Sequence, residues 1–143
     1  MSSKTIILAI ALAIAFIAPA YAKGFLVGRT KRLPELKLGL ENTGYGVSQH
    51  KYELETGIGY RLEISTTGAK PCEFSADEFF QNIWVRKLEV DHIDINISQI
   101  NAIEFDDREG EVELLFTPIK PGEYTWECEG LAQKGMTGKF LVK

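Results

Sequence analysis

Residues 121–143, PGEYTWECEGLAQKGMTGKFLVK, contain the clearest structural pattern in the chain. Pro121-Gly122 begins a strand, since apolar and polar residues then alternate with the period of two that is typical of half-buried strands. Cys128 ends this strand on its apolar face, and a loop leads to a second strand that starts near Met136. The hairpin therefore predicts that a thiolate and a thioether lie at one end of a β-sandwich, and copper selects such soft ligands.

The same alternation runs through the chain from His50 onward. Turn residues separate the strand-like runs, and the single helical candidate is short, around Ser75–Asn82. Seven to eight short strands without a long helix predict an all-β, Greek-key antiparallel β-sandwich. Besides two runs between His50 and Ser65, the predicted strands are Ile83–Val90, Ile93–Ile97, Ala102–Phe105, Glu111–Thr117, Tyr124–Cys128 and Thr137–Val142.

The composition is that of one globular domain. The chain has 143 residues, of which 45% are hydrophobic and 25% charged, and these values exclude a disordered chain. Its net charge is -4, so it has no basic excess and a nucleic-acid partner is not expected. No nucleophile with a neighbouring base, phosphate-binding loop or zinc-protease motif is present, so we predict a protein that is not an enzyme and has no small-molecule substrate.

The first residues have the layout of a secretory signal peptide. Lys4 precedes an uncharged apolar run from Thr5 to Ala20, and Ala20-Tyr21-Ala22 offers small residues at the positions that a signal peptidase reads. We predict a signal peptide over residues 1–22 and a periplasmic protein. The alternative is a retained membrane anchor, although the run is shorter than the roughly 20 residues that span a bilayer.

Residues 23–48 show no sustained period. We predict that they form an exposed N-terminal arm or linker, with one short helical turn at Pro34–Leu40. The domain itself is then expected over residues 49–143. Because both cysteines lie in that domain and the compartment is oxidising, a disulfide or a metal is expected rather than two free thiols.

Two segments resemble the cupredoxins, the blue-copper proteins. Residues 121–143 are similar to the family's closing hairpin, Pro-Gly-x-Tyr-x-Phe-x-Cys followed by a His and a Met, with the Cys-to-Met spacing of plastocyanin. Residues 68–80, GAKPCEFSADEFF, resemble the family's strand that ends in His-Asn-Phe or His-Glu-Phe. The resemblance covers His50–Lys143 and implies a cupredoxin-like fold, copper binding or electron transfer, and a periplasmic or membrane-associated redox or copper protein as partner.

The family's copper ligands are only partly present. The resemblance puts the first histidine ligand at Cys72, the thiolate at Cys128, the second histidine at Leu131 and the axial methionine at Met136. A blue-copper centre needs two imidazoles and one thiolate. Since both imidazoles are missing from these positions, the resemblance implies a degenerate copper site.

Two interpretations of the altered site follow from the resemblance. In the first, Cys72, Cys128 and Met136 bind Cu(I) as soft ligands, and the protein keeps a role in copper binding or electron transfer. In the second, Cys72 and Cys128 form a disulfide in place of the copper site, and the protein is a metal-free binding or accessory module.

The histidines and aromatic residues each allow two interpretations. His50 and His92 are expected to be exposed polar residues, with a surface metal site as the alternative. Phe79, Phe80, Trp84 and Trp126 are expected in the core, with an exposed docking patch as the alternative.

Overall fold

The computed structural model describes residues 28–143, and the predicted signal peptide lies outside them. These residues form twelve strands and one short α-helix, α1 (Asp77–Phe80), together with a 3-10 helix at Ala132–Lys134. The strands, in chain order, are β1 (Lys31–Arg32), β2 (Leu36–Leu40), β3 (Gly46–Val47), β4 (Lys51–Leu54), β5 (Tyr60–Thr67), β6 (Cys72–Ser75), β7 (Ile83–Val90), β8 (Ile93–Ile95), β9 (Ala102–Phe105), β10 (Glu109–Pro118), β11 (Gly122–Cys128) and β12 (Thr137–Val142).

The strands build the two layers of a β-sandwich. The first sheet has the order β3-β2-β5-β10-β7-β8, with β1 also pairing with β5, and the second has the order β4-β12-β11-β6-β9. In β5, Tyr60, Leu62 and Ile64 are buried whereas Arg61 and Glu63 are half-exposed, so the alternation in the sequence becomes the two faces of the sheet. The predicted all-β sandwich is confirmed.

Two features of the sheets differ from the prediction. The strands number twelve rather than seven to eight, because three short strands form before residue 48 and Cys72–Ser75 forms a further strand, β6. Both sheets are mixed rather than antiparallel, since β1 and β2 run parallel to β5, and β4 runs parallel to β12. Parallel pairing joins segments that are distant in the chain, and alternation within one segment carries no information about it.

The predicted N-terminal arm is corrected by the structure over residues 28–48. Leu36 and Leu38 are completely buried, and Leu36 is in register with Ile64 of β5. The helical turn predicted at Pro34–Leu40 is instead strand β2, because Leu36, Leu38 and Leu40 alternate with smaller or polar residues and the edge of β5 is open to pairing. The sandwich therefore includes residues well before position 49.

A buried tyrosine also ties this segment to the domain. The Tyr52 hydroxyl donates a hydrogen bond of 3.0 Å to the carbonyl oxygen of Pro34. Burial, and then the nearby Glu35 carboxylate, raise the pKa of Tyr52 above its usual range, so the hydroxyl stays a donor at neutral pH. The segment is thus held by a side-chain contact as well as by strand pairing.

Asp91 and His92 form the two-residue turn between β7 and β8. Their φ angles are 48° and 65°, so both residues occupy the left-handed region that a type I′ hairpin turn requires. On one side of the hairpin, Lys87 donates hydrogen bonds to Glu89 and Asp94, and these contacts raise its pKa. Asp and His are among the non-glycine residues that tolerate this region best, and the pairing of β7 with β8 holds them there.

We expect His92→Gly to raise the free energy of unfolding by about 0.5–1 kcal/mol, since glycine adopts a positive φ without steric cost. Urea unfolding followed by circular dichroism measures the change. His92→Ala is the control, because it removes the imidazole and keeps the Cβ atom that is strained at this φ. Equal effects of His92→Gly and His92→Ala on the free energy of unfolding would contradict the explanation that a Cβ atom is strained at this φ.

None of the helices that residues 28–143 form has the length and apolar character that crossing a membrane requires.

Candidate functional site

The three sulfur-bearing residues of interest meet at one end of the sandwich, which we call the sulfur end. Cys72 is the first residue of β6, Cys128 is the last residue of β11, and Met136 directly precedes β12. β6 and β11 are antiparallel neighbours, with Cys128 in register with Phe74. In antiparallel neighbours the start of one strand lies beside the end of the other, so the pairing of β11 with β6 and β12 brings residues 72, 128 and 136 together.

Cys72 and Cys128 are joined by a disulfide. Their Cα atoms are 5.0 Å apart and the two residues are 56 positions apart in the sequence. That distance is within the range that disulfides need without movement of the backbone. Cys72 is 3% exposed and Cys128 is fully buried, so water and small reagents have little access to the bond. Neither sulfur is a thiolate in this state, and the structure thus contains the pairing that the resemblance allows.

Met136 lies directly beside Cys128. The Cys128 N–H donates a hydrogen bond of 3.0 Å to the Met136 carbonyl, and the Met136 N–H donates to the carbonyl of Leu131 at 3.3 Å. The loop turns back through the 3-10 helix, and Gly135 takes the left-handed φ of 104° that ends it. Met136 is completely buried. Its thioether is therefore a core side chain next to the disulfide.

Leu131 takes the place at which the resemblance puts the second histidine ligand. It is half-buried and packs against the main core. An isobutyl group offers no lone pair, so this position contributes packing and no metal ligand.

The structure also brings His50 to the sulfur end, which the sequence did not predict. His50 precedes β4, and β4 pairs with β12 close to Met136. The Nδ1 atom of His50 lies 2.8 Å from the carbonyl oxygen of Thr137, so the imidazole donates this hydrogen bond through an Nδ1–H. The residue is exposed, as expected, and its role here is to hold β4 against the start of β12. No sequence signal identifies this contact, since 87 positions separate the two residues.

His92 is separate from this site. It lies in the β7–β8 turn and lines a cleft of about 220 Å³ with several carboxylates of the first sheet. Within residues 28–143, no group of three or more His, Cys, Asp or Glu side chains is arranged to hold a metal ion.

The side chains at the sulfur end do not fit a blue-copper centre. Such a centre takes two imidazoles and a thiolate. Here the two cysteine sulfurs are bonded to each other, position 131 is a leucine, and the nearby His50 uses Nδ1 for a backbone carbonyl. While the disulfide is formed, the donors that remain are the Met136 thioether and the Nε2 of His50, and these lack the thiolate and the second imidazole of such a centre.

A tyrosine and two lysines surround the outside of this end. The ring of half-buried Tyr45 has the Nζ atoms of Lys70 and Lys134 at 5.3 Å and 5.5 Å from its centroid. These are cation–π distances. The three residues come from the β2–β3 loop, the β5–β6 loop and the 3-10 helix, so they meet only in the folded chain.

The aromatic residues after Cys72 are mostly core. Phe79 stacks on Phe140 with ring centroids 4.0 Å apart, and Phe74 packs against fully buried Trp126 at 5.5 Å. Phe80 is also buried, whereas Trp84 is 38% exposed. The prediction of a core role therefore agrees with the structure for all of these residues except Trp84.

Sequence comparisons find no relative: no protein-family model matches the chain, and no curated protein matches it. Solved structures do match. The McoA multicopper oxidase from Aquifex aeolicus has a TM-score of 0.60 at 10% identity, covering 87% of this chain and 32% of the oxidase. A multicopper oxidase from Pediococcus acidilactici gives a TM-score of 0.60 at 12% identity, covering 87% of this chain and 28% of that protein. The multicopper oxidase from Campylobacter jejuni gives 0.55 at 12% identity, covering 81% and 31% of the two chains.

The chain spans about a third of the length of these oxidases. At such low identity the likeness concerns the fold alone. The chain has a cupredoxin-like fold.

Proposed function

We propose that this protein is an exported, metal-free binding or accessory module in which the Cys72–Cys128 disulfide takes the place of a copper site. The observation that carries the proposal is the buried disulfide, which joins the two positions that correspond to copper ligands. Cys72 and Cys128 cannot bind a metal while they form this disulfide, because the S–S bond removes both thiolates. The module therefore acts through its surfaces and not through an electron carried at the sulfur end.

The proposed location is the periplasm. The layout of residues 1–22 supports export. An oxidising compartment supports a permanent disulfide, which a reducing cytosol would not. The partner is then a periplasmic or membrane-associated protein, and the module works by binding and not by catalysis.

A second candidate function is Cu(I) binding after reduction of the disulfide. Burial of Cys72, Cys128 and Met136 at one end of the sandwich favours it, since the two thiolates and the thioether would form a soft donor set. A dithiol reductant would have to supply the two electrons and two protons that convert the disulfide to two thiols.

Thiol and copper titrations distinguish the two functions. We expect no reactive thiol in the purified protein, with or without denaturant, because both cysteines are in the disulfide. After reduction under anaerobic conditions, we expect that the protein does not take Cu(I) from a competing chelator. Cu(II) should produce no blue-copper absorption. The variant Met136→Leu is the control, since it removes the thioether and conserves the volume of the side chain.

Two free thiols in the purified protein, or a tight one-to-one Cu(I) complex that Met136→Leu weakens, would contradict the metal-free module. The second result would establish the copper function instead.

A further inference from the structure

A cleft of about 380 Å³ lies between the two sheets near the sulfur end. Its apolar floor consists of Val90 on β7, Phe105 on β9 and Val112 on β10. Phe105 is in register with Cys72, so the cleft adjoins the strand that bears the disulfide. A groove with this floor can accept an apolar side chain of a partner.

The rim of the cleft is strongly acidic. Asp91, Glu104, Glu109 and Glu111 line it, and none of them forms an ion pair with another residue of the described chain. The one cation of the lining, Arg108, already contacts Asp106 at 2.6 Å. Four carboxylates therefore face the same opening without a positive partner in residues 28–143.

Acidic side chains outnumber basic ones in this cleft and in the cleft beside it. The cleft and the neighbouring cleft of about 220 Å³ have eight carboxylates and two guanidinium groups among their lining residues. Residues 28–143 contain twenty acidic and fourteen basic side chains, so the remainder has twelve of each. The excess of carboxylates makes these two clefts negative, and this charge attracts a cation.

Strand β8 extends the apolar floor to the edge of the first sheet. Ile93 is in register with Val90 and Ile95 with Leu88, and directly paired residues place their side chains on the same face. Ile93 is 63% exposed and Ile95 38% exposed. β8 pairs with β7 alone, so its second edge has no strand partner within residues 28–143. An open edge with an apolar face can pair with an extended peptide.

We propose that β8 and the acidic cleft form a docking surface for an extended, basic segment of a partner protein, in which lysine or arginine alternates with apolar residues. An extended chain presents its side chains alternately to two sides, so apolar residues can contact Ile93 and Ile95 while basic residues reach the rim. Charge complementarity selects a cationic partner over an anionic or neutral one. This inference deepens the proposed function by naming the surface and the chemistry of the partner.

The test uses a synthetic peptide of alternating lysine and valine, added to the isotopically labelled mature protein and followed by two-dimensional NMR. We expect shifts in residues 88–95 and 104–112, and binding that weakens as salt is raised. The double substitution Glu104→Gln/Glu109→Gln should weaken binding about tenfold, since each exposed charge pair contributes up to about 1 kcal/mol. Ile93→Thr, at an exposed position, should weaken binding about threefold, because it removes part of an apolar contact with the peptide.

Two controls match these variants. Glu78→Gln/Glu127→Gln makes the same change in charge at another cleft, on the second sheet, and should leave binding unchanged. An all-lysine peptide of equal length tests charge without apolar contacts and should bind more weakly. Absence of binding, equal weakening by both double variants, or equal binding of the two peptides would each overturn the proposal.

Failure of this docking surface is distinguishable from failure of the proposed function. The thiol and copper titrations depend on Cys72, Cys128 and Met136, and none of the docking variants alters these residues. If the protein binds neither metal nor peptide, only the proposed docking surface is contradicted. If the protein binds Cu(I) tightly, only the proposed metal-free function is contradicted.

Discussion

Replacing Cys72 and Cys128 together by alanine is expected to lower the free energy of unfolding by about 4 kcal/mol. The disulfide closes a loop of 56 residues, and in the chain-entropy model a loop of this length restricts the unfolded chain by about that amount. Both sulfurs are also buried, so their removal takes away core contacts as well. A loss of this size is a large fraction of the 5–15 kcal/mol that is typical of a domain.

Urea unfolding of the oxidised protein and the double variant measures this difference. The reduced wild-type protein is the matched control, because it lacks the cross-link but keeps both side chains. We expect it to lose most of the same free energy. A difference below about 1 kcal/mol between the oxidised protein and the variant would contradict a stabilising role for the disulfide.

Leu36→Ala is expected to destabilise the protein by about 2–5 kcal/mol. Leu36 is completely buried, and removing three heavy atoms from a closed core leaves a cavity in addition to the lost transfer free energy. The effect is large only if strand β2 belongs to the folded domain. An exposed linker would tolerate the substitution with a change of less than about 0.5 kcal/mol.

Leu40→Ala is the matched control for this experiment. Leu40 lies in the same strand but is half-exposed, so its truncation should cost much less. Thermal unfolding followed by calorimetry and unfolding in urea should both rank Leu36→Ala as less stable than Leu40→Ala. Equal, small effects of both substitutions would show that residues 36–40 do not contribute to the core.

Most strands after His50 could be predicted from the sequence, because their apolar residues alternate with polar ones or form short β-like runs between turn residues. Strands β7 and β9 have the predicted bounds, Ile83–Val90 and Ala102–Phe105, and α1 lies within the predicted helical region. Alternation is a local property, because it reflects the two faces of a single strand. β8 ends two residues earlier than predicted, and β10 starts two residues earlier and ends one residue later, since such ends depend on the partner strands.

The N-terminal strands could not be placed in the same way. β1 and β3 are only two residues long, and β2 is interrupted by Gly39, so they lack a long alternating pattern. Their position is set by the free edge of β5, with which β1 and β2 pair in parallel. The propensity of a short segment is weak compared with tertiary pairing. This is why a strand that packs Leu36 and Leu38 in the core was predicted as a linker.

For the candidate site, too, the types of the residues follow from the sequence, whereas their contacts depend on the tertiary structure. The chain's primary structure was sufficient to show that positions 72, 128, 131 and 136 lack the imidazoles of a blue-copper centre, because ligand chemistry is a property of residue type. Long-range pairing was needed to join Cys72 to Cys128, to place His50 against Thr137 and to bring acidic residues from the β7–β8 turn, β9 and β10 around one cleft. These contacts connect segments far apart in the chain, and their geometry comes from strand order and register, which the alternation of single strands does not specify.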